Sequence, residues 1–201
     1  MIKALVFDIG RVMASENNMK DHYVPLRKAL NIDEKEFFKA RKKYISKAAS
    51  GKITGNKMIS LFAKDLKINY NVLLKNWIKF KIKSQKKNFE LEKIIKKLKK
   101  QKYKVGSLSG VIDLHYKIGM KNKIYNVFDF NLTSFKMGLV KPHPKMYRLL
   151  IKKLKLKPEE IVIIDDTKSC LDVAKKQELK VILFKNNKQF LKSLKKLGIE
   201  L

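Results

Sequence analysis

The chain has 201 residues, of which 45% are hydrophobic and 33% are charged, and its formal net charge at pH 7 is +30. This composition excludes a disordered chain, and the single cysteine, Cys170, excludes an intrachain disulfide framework. No segment approaches ~18 uninterrupted apolar residues, and the apolar run at residues 2–7 is too short for a signal peptide. We therefore expect a soluble, cytoplasmic protein that does not bind a membrane.

The many basic residues suggest nucleic-acid binding, but their type and distribution argue against it. Lys and Arg total 48, and only four of them are Arg, the residue that usually recognises phosphates and guanines. The net charge is +17 in residues 1–100 and +13 in residues 101–201, so no binding stripe is concentrated in one part of the chain. We therefore expect a solvated lysine-rich surface, and nucleic acid is not the expected partner.

The N-terminal half begins with a strand and continues with helices. The apolar run at residues 2–7 predicts a buried strand that ends in the turn Asp8-Ile9-Gly10. From about residue 20 to residue 100 the hydrophobic period becomes helical, with Asp33 as a helix N-cap and the clearest apolar stripe at residues 91–98. This pattern indicates a helical segment inserted after the first strand.

Strands and helices alternate in the rest of the chain. The predicted strands span residues 103–108, 127–130, 161–164 and 181–184. One predicted helix starts at Pro144, and another spans about residues 169–177. Such alternation is typical of an α/β protein with a parallel sheet. We expect a core formed by residues 1–14 and 100–201, and a helical insertion formed by residues 15–99.

Polar residues follow the predicted strands where each strand ends. In an open parallel sheet, ligands bind at the carboxyl ends of the strands. The residues expected to converge there are Asp8, Ser109, Lys141, Asp165 and Asp166. Clustered carboxylates repel one another unless a cation compensates them, and oxygen ligands suit Mg²⁺. A lysine and a serine beside that cation suit a phosphate group.

These motifs, in this order, resemble those of the haloacid dehalogenase (HAD) superfamily. The first motif is similar to residues 5–12, the second to Ser109, the third to Lys141-Pro142-His143-Pro144 and the fourth to residues 163–166. The helical insertion between the first two motifs is similar to the C1-type cap of the family. The resemblance covers essentially the whole chain and implies a Rossmann-like core, residues 1–14 and 100–201, with a cap at residues 15–99.

The resemblance also implies a function and a role for each site residue. The expected function is a Mg²⁺-dependent phosphatase that hydrolyses a small phosphorylated metabolite, such as a sugar phosphate, through an aspartyl-phosphate on Asp8. Lys141 would neutralise the phosphate and the nucleophile. The expected ligands of Mg²⁺ are the Asp8, Asp165 and Asp166 carboxylates and the Gly10 carbonyl, and Ser109 and Gly110 would bind phosphate oxygens. Ile9 and Arg11 lie beside the nucleophile and are the other expected substrate contacts, with a surface ion pair as the alternative role of Arg11.

Gly10 departs from the usual first motif of the family. A second Asp ordinarily stands at this position and protonates the leaving group, and glycine offers no proton donor. Part of the superfamily is similar to the Asp-x-Gly-x-Val form found here, including bacterial sugar-phosphate phosphatases and the N-terminal phosphatase domain of soluble epoxide hydrolases. A good leaving group or another acid from the cap would compensate, and His22 is a weak candidate for that acid.

Three alternatives stay open at this point. A 2-haloacid dehalogenase shares the nucleophilic Asp and lacks the second acid, but its chemistry needs no metal. A weakly active or inactive relative would bind a phosphorylated ligand or a protein partner without turnover. Nucleic-acid binding through the lysine surface would show a steep salt dependence. For each of these functions we expect a monomer or a homodimer.

Overall fold

A parallel sheet forms the centre of the computed structural model, which describes residues 1–15 and 22–201. The strand order in the sheet is β5 (Phe130–Thr133), β4 (Lys104–Ser109), β1 (Ala4–Phe7), β6 (Ile161–Asp165) and β7 (Lys180–Leu183). All four strand pairings are parallel. The predicted α/β fold with a parallel sheet is thereby confirmed. Among the described residues, no helix has the length and apolar character needed to cross a membrane.

The fifth strand begins later than the sequence predicts. Residues 127–130 were expected to form it, and β5 instead starts at Phe130. Asp129 makes two hydrogen bonds to the backbone of Val105 in β4. Its N–H donates to the Val105 carbonyl and its carboxylate accepts from the Val105 N–H, each at 2.8 Å. Val127 and Phe128 are buried in the core as part of a loop, so their apolar pattern reports burial rather than strand pairing.

Helices cover both faces of the sheet, as the buried strands require. Side chains alternate along β1, so Leu5 and Phe7 face one helical layer while Ala4 and Val6 face the other. The helices are α5 (Phe89–Lys100), α6 (Asp113–Lys121), α7 (Ser134–Met137), α8 (Pro144–Leu154), α9 (Lys168–Lys175) and α10 (Asn187–Lys196). A 3₁₀ turn at Pro158–Glu160 precedes β6. Pro144 is the first residue of α8, as predicted.

In the part of the chain that the structure describes, four further helices lie between two short strands that pair with each other. The short strands are β2 (Ala14–Ser15) and β3 (Lys86–Lys87), which are antiparallel. The helices are α1 (Val24–Ala29), α2 (Glu34–Ala49), α3 (Gly55–Asp65) and α4 (Tyr70–Ser84). They form a second hydrophobic cluster around the aromatic side chains of Tyr23, Phe37, Phe62, Trp77 and Phe80. The predicted N-cap at Asp33 is confirmed, since its carboxylate accepts from the N–H groups of Lys35 and Glu36. Residues 16–21 of the predicted insertion lie outside the described residues.

Helix α5 packs on the sheet rather than among the inserted helices. Its apolar stripe of Leu91, Ile94, Ile95 and Leu98 belongs to the same cluster as Leu5 and Phe7. The sequence placed residues up to 99 in the insertion because helical periodicity identifies a buried face without identifying what buries it. We therefore propose that the insertion ends at β3, before α5, instead of at residue 99.

The inserted helices are joined to the sheet domain by specific contacts with α6 and α7. The Trp77 Nε1–H donates to Nε2 of His115 at 2.8 Å, and the Gly55 N–H donates to the Asp113 carboxylate at 2.6 Å. Gly51 lies against the backbone of Phe135 with no room for a Cβ atom. These contacts fix the end of the inserted bundle that lies next to the loop after β4.

Two glycines with the same backbone conformation provide a test of this joint. Gly51 and Gly138 both have φ of +70°, and a Cβ on Gly138 would meet nothing within 4 Å. Gly138→Ala should cost about 1–2 kcal/mol of unfolding free energy, the ordinary cost of a left-handed alanine. Gly51→Ala should cost about 1–3 kcal/mol more, because its Cβ would press on the Phe135 backbone. Urea unfolding measures both, and equal costs would contradict the close approach.

The Trp77–His115 hydrogen bond should make stability depend on pH. Burial lowers the pKa of His115 well below 6.5, and the nearby cation Lys81 lowers it further. The unfolded chain therefore takes up this proton first, so the stabilisation is complete above pH 6.5 and is lost as the pH falls towards the lowered pKa. The loss can reach about 1.4 kcal/mol per pH unit.

His115→Gln is the matched variant, because its amide oxygen can accept from Trp77 without titrating. Urea unfolding between pH 7.5 and pH 5 should show the wild-type protein losing about 1–2 kcal/mol more than the variant. Parallel stability curves for the two proteins would contradict the assignment.

Candidate active site

Asp8 and Asp165 stand side by side because β1 and β6 are neighbours in the sheet. Phe7 pairs with Ile164 in the parallel register, and the Asp8 N–H donates to the Ile164 carbonyl at 2.8 Å. The next residue of each strand is thus delivered to the same point at the carboxyl edge. This edge is where open parallel sheets bind ligands.

Three carboxylates meet at this edge. Asp8, Asp165 and Asp166 each offer an oxygen that lies within 4.8 Å of the oxygens of the other two. Asp165 is buried, while the other two are half-buried and accessible from the edge. Hard oxygen donors at this spacing suit a small divalent cation such as Mg²⁺. The structure therefore brings together the three side chains predicted to hold a metal.

Lys141 compensates two of these carboxylates directly. Its Nζ donates to Oδ1 of Asp8 at 2.7 Å and to Oδ2 of Asp165 at 2.8 Å, and its side chain is 9% exposed. The lysine lies in the loop before α8, as the third motif predicts. Gly110 lies beside the stem of this lysine, since a Cβ on Gly110 would come within 3.8 Å of the Lys141 Cβ.

At neutral pH, the electrostatics of this group favour the ionised forms of both Asp8 and Lys141. Burial raises the pKa of Asp8 to about 6, although the Lys141 ammonium opposes this shift. For Lys141, burial lowers the pKa, but the attraction of Asp8 and Asp165 outweighs burial and the net shift is upward. At pH 7 the ammonium is therefore charged and most Asp8 carboxyls are ionised.

Asp166 has a different cationic partner. The Arg11 Nη2 lies 2.6 Å from Oδ2 of Asp166, and the Arg11 side chain is 49% exposed. Burial raises the pKa of Asp166, and Arg11 opposes the shift. Thr167 supports both acidic residues of the fourth motif, because its N–H donates to Oδ1 of Asp165 at 2.8 Å and its hydroxyl donates to Oδ1 of Asp166 at 3.3 Å.

Thr167 is a site residue that the sequence reasoning missed. Its signal was present, since a hydroxyl residue that directly follows two acidic residues, just before a predicted helix, commonly hydrogen-bonds back to the preceding side chains. The turn after β1 is likewise defined by backbone bonds that the sequence does not reveal. The Ile9 carbonyl accepts from the N–H groups of Val12, Met13 and Ala14.

The other predicted site residues differ in what they can present. Ser109 is the last residue of β4 and is buried, and Gly110 is exposed at the edge. The Ile9 side chain is buried in the core, so its contribution to the site must come from its backbone. Gly10 bridges to Ala14 in the turn that follows Asp8.

Two histidines lie outside the acidic cluster. The His22 ring packs edge-on against Tyr23 and Phe80 among the inserted helices. His143 caps α8, with Nδ1 accepting from the Lys145 N–H at 3.1 Å. The structure therefore places His22, the weak candidate for the missing acid, in an aromatic cluster.

A cavity of about 680 Å³ lies between α1, α4 and β3. The apolar part of the wall includes Phe80 and Leu26, and the cationic part is formed by Lys79, Lys83 and Lys86. None of the three acidic residues of the cluster contributes to the described walls of this cavity.

The match to a family model settles the resemblance. Residues 26–184 match the model described as haloacid dehalogenase-like hydrolase. The chain belongs to this family. The resemblance read from the four motifs is therefore confirmed, and so is the HAD-like fold.

Solved structures of HAD proteins share this architecture. A HAD family enzyme from Bacteroides thetaiotaomicron superposes with a TM-score of 0.77 at 21% identity, covering 92% of this chain and 95% of that chain. The same enzyme in complex with magnesium and inorganic phosphate gives a TM-score of 0.73 at 20% identity, covering 93% and 96%. The L-2-haloacid dehalogenase from Xanthobacter autotrophicus with chloropropionic acid covalently bound gives 0.66 at 15% identity, covering 100% and 85%. At these identities the likeness shows the fold.

Curated relatives match a shorter segment. Bifunctional epoxide hydrolase 2 of Mus musculus is 39% identical over 69 residues, which are 34% of this chain and 12% of that protein. The Sus scrofa protein of the same name is 33% identical over 75 residues, which are 37% of this chain and 14% of that protein. The matched segment thus spans only a small part of these relatives.

Removing the Lys141 ammonium should strongly destabilise the HAD-like chain when no metal is present. Lys141→Met leaves Asp8 and Asp165 as buried, uncompensated carboxylates, which should cost about 3–5 kcal/mol at pH 7. The cost should shrink at pH 5, because Asp8, whose pKa burial raises to about 6, can then take up a proton.

Urea unfolding in EDTA at the two pH values checks this prediction. Lys145→Met, at an exposed lysine four residues further along the chain, is the control and should stay within about 0.5 kcal/mol of wild type. Equal effects of the two substitutions would show that Lys141 does not carry the charge balance.

Proposed function

We propose that this HAD-like hydrolase is a Mg²⁺-dependent phosphatase that acts on a small phosphorylated metabolite through an aspartyl-phosphate on Asp8. The observation that carries the proposal is the close grouping of Asp8, Asp165 and Asp166 around the Lys141 ammonium. Three acidic side chains at one edge suit a reaction that uses a divalent cation. Displacement of a halide from a carbon atom needs no such group.

The carboxylates of Asp8, Asp165 and Asp166 and the carbonyl of Gly10 are the groups that would hold Mg²⁺. When bound, the ion supplies positive charge that offsets the charges of Asp8 and of the phosphate. The Bacteroides thetaiotaomicron structure with magnesium and inorganic phosphate supports this assignment through the shared fold. The oxygen-only donor set of this chain supports it independently.

Asp8 is the proposed nucleophile. One carboxylate oxygen forms a bond to phosphorus while the bond from phosphorus to the leaving-group oxygen breaks. Lys141 holds Oδ1 of Asp8 at 2.7 Å, which fixes the plane of the carboxylate. With a pKa of about 6, Asp8 is mostly ionised at pH 7 and ready to attack.

Groups on two neighbouring loops would bind the transferring phosphoryl group. The Ser109 hydroxyl lies at the last residue of β4, the Gly110 N–H follows that strand, and the Ile9 N–H follows β1. Donors fixed by the ends of strands stabilise developing charge without having to reorganise. Water then attacks phosphorus and releases phosphate from Asp8.

The first motif supplies no general acid to protonate the leaving group, because Gly10 has no acidic side chain. General acid catalysis contributes roughly 10²–10⁴-fold. We therefore propose that the natural substrate has a good leaving group or brings its own acidic group.

The inserted helices are the proposed cap that selects this substrate and excludes water. We place the enzyme in the cytoplasm as a monomer or homodimer.

The first test is hydrolysis of p-nitrophenyl phosphate with Mg²⁺ and with EDTA. The nitrophenolate leaving group needs little protonation, so the assay bypasses the missing acid at Gly10. Activity should require Mg²⁺, and Asp8→Asn should lower kcat by at least about 10³-fold. Asp172→Asn, at an exposed acid on α9, is the control and should keep full activity.

A second candidate, 2-haloacid hydrolysis, is favoured only by the absence of an acid at Gly10 and by the shared fold of the Xanthobacter autotrophicus enzyme. Chloride release from 2-chloropropionate in EDTA tests it. Metal-independent halide release together with no phosphatase activity would replace the phosphatase proposal. A folded protein that binds Mg²⁺ but turns over neither substrate would favour a ligand-binding or protein-binding role.

A further inference from the structure

Arg11 lies in the tight turn after β1 and is one of seven non-glycine residues with a positive φ in the described part of the chain. Its φ is +58°, in the left-handed region that ordinarily costs a non-glycine residue about 1–2 kcal/mol. The turn after β1 holds it there, since its N–H donates to the Ala14 carbonyl at 2.7 Å. This backbone conformation accompanies a guanidinium that reaches the acidic cluster.

The ion pair of Arg11 engages an oxygen that a metal would use. Nη2 of Arg11 lies 2.6 Å from Oδ2 of Asp166, and the other oxygen of Asp166 accepts from the Thr167 hydroxyl. A cation that binds Asp166 must therefore displace the guanidinium or share the carboxylate with it. The Arg11 side chain is 49% exposed, so it has room to move away.

The formal charge of the cluster determines how Arg11 affects the binding of Mg²⁺ and of phosphate. The three carboxylates and the two cations Lys141 and Arg11 give the cluster a formal charge of −1. Arg11 thus opposes the arrival of a divalent cation. Once that cation is present, the same guanidinium attracts a phosphate dianion, for which its planar donors are well suited.

We propose that Arg11 exchanges partners during binding: it pairs with Asp166 until Mg²⁺ takes that carboxylate, and it then binds the phosphate group of the substrate. Arg11 would in this way weaken Mg²⁺ binding and strengthen binding of the phosphorylated ligand. This inference rests on the proposed function for its ligands, and it adds to the substrate contact expected of Arg11 a competition with Mg²⁺ for Asp166.

Calorimetric titrations of the full chain test the two effects separately and involve no turnover. The main variant is Arg11→Gly, because glycine adopts a positive φ without strain and should fold at least as well as the wild type. Arg11→Lys keeps the charge. Arg148→Ala removes an arginine whose Nη1 donates to Oε1 of Gln177 at 3.4 Å, and it serves as the control.

In the first titration, Mg²⁺ alone should bind Arg11→Gly about 3-fold to 10-fold more tightly than the wild type. In the second, inorganic phosphate should bind the Mg²⁺-saturated variant about 10-fold more weakly or worse. Arg11→Lys should restore part of both effects, and Arg148→Ala should match the wild type. The opposite signs of the two changes distinguish partner exchange from a general loss of structure.

Unchanged or weaker Mg²⁺ binding in Arg11→Gly would overturn the competition for Asp166. Unchanged phosphate binding would overturn the contact with substrate. If Arg11→Gly binds Mg²⁺ more tightly and phosphate more weakly, but the wild type does not hydrolyse p-nitrophenyl phosphate, the inference about Arg11 stands while the phosphatase proposal fails. If hydrolysis requires Mg²⁺ and Asp8 but neither titration changes, the phosphatase proposal stands and the role of Arg11 is overturned.

Discussion

The bridge from Lys141 to Asp8 and Asp165 is the interaction on which the site depends. The parallel register of β1 and β6 places these two carboxylates side by side, and burial makes their repulsion costly. A single ammonium within 2.8 Å of both removes most of that cost. The loop before α8 must therefore return to the edge of the sheet, and this requirement ties the third motif to the first and fourth.

The inserted helices are attached to the part of the chain that continues from the second motif. Ser109 and Gly110 follow β4, and a few residues later Asp113 and His115 on α6 receive hydrogen bonds from Gly55 and Trp77. A displacement of the inserted helices must therefore break these bonds or move the start of α6 with them. This connection links the proposed cap physically to the loop that presents the proposed phosphate-binding donors.

Sequence reasoning recovered the acidic cluster because strand ends in a parallel sheet lie at one edge, whatever the loops between them do. It placed Asp8, Asp165 and Asp166 together for that reason, and it placed Lys141 beside them from the loop before the helix predicted at Pro144. It failed where one pattern serves two environments. The stripe at 91–98 fits burial against either the sheet or the inserted helices, and Val127 and Phe128 are apolar without pairing. It also gave no sign that Arg11 adopts a left-handed conformation, since backbone strain is set by the surrounding turn.

The overall charge of +30 and the charge at the site act over different ranges. At physiological ionic strength, the field of an exposed lysine decays over about 8 Å, so an evenly distributed coat gives an anionic ligand little direction. Lys141 is buried and escapes this screening, and Arg11 is held against Asp166 by a tight turn. The proposed recognition of phosphate therefore depends on cations that the fold places at the carboxylates, and an excess of surface lysine does not replace them.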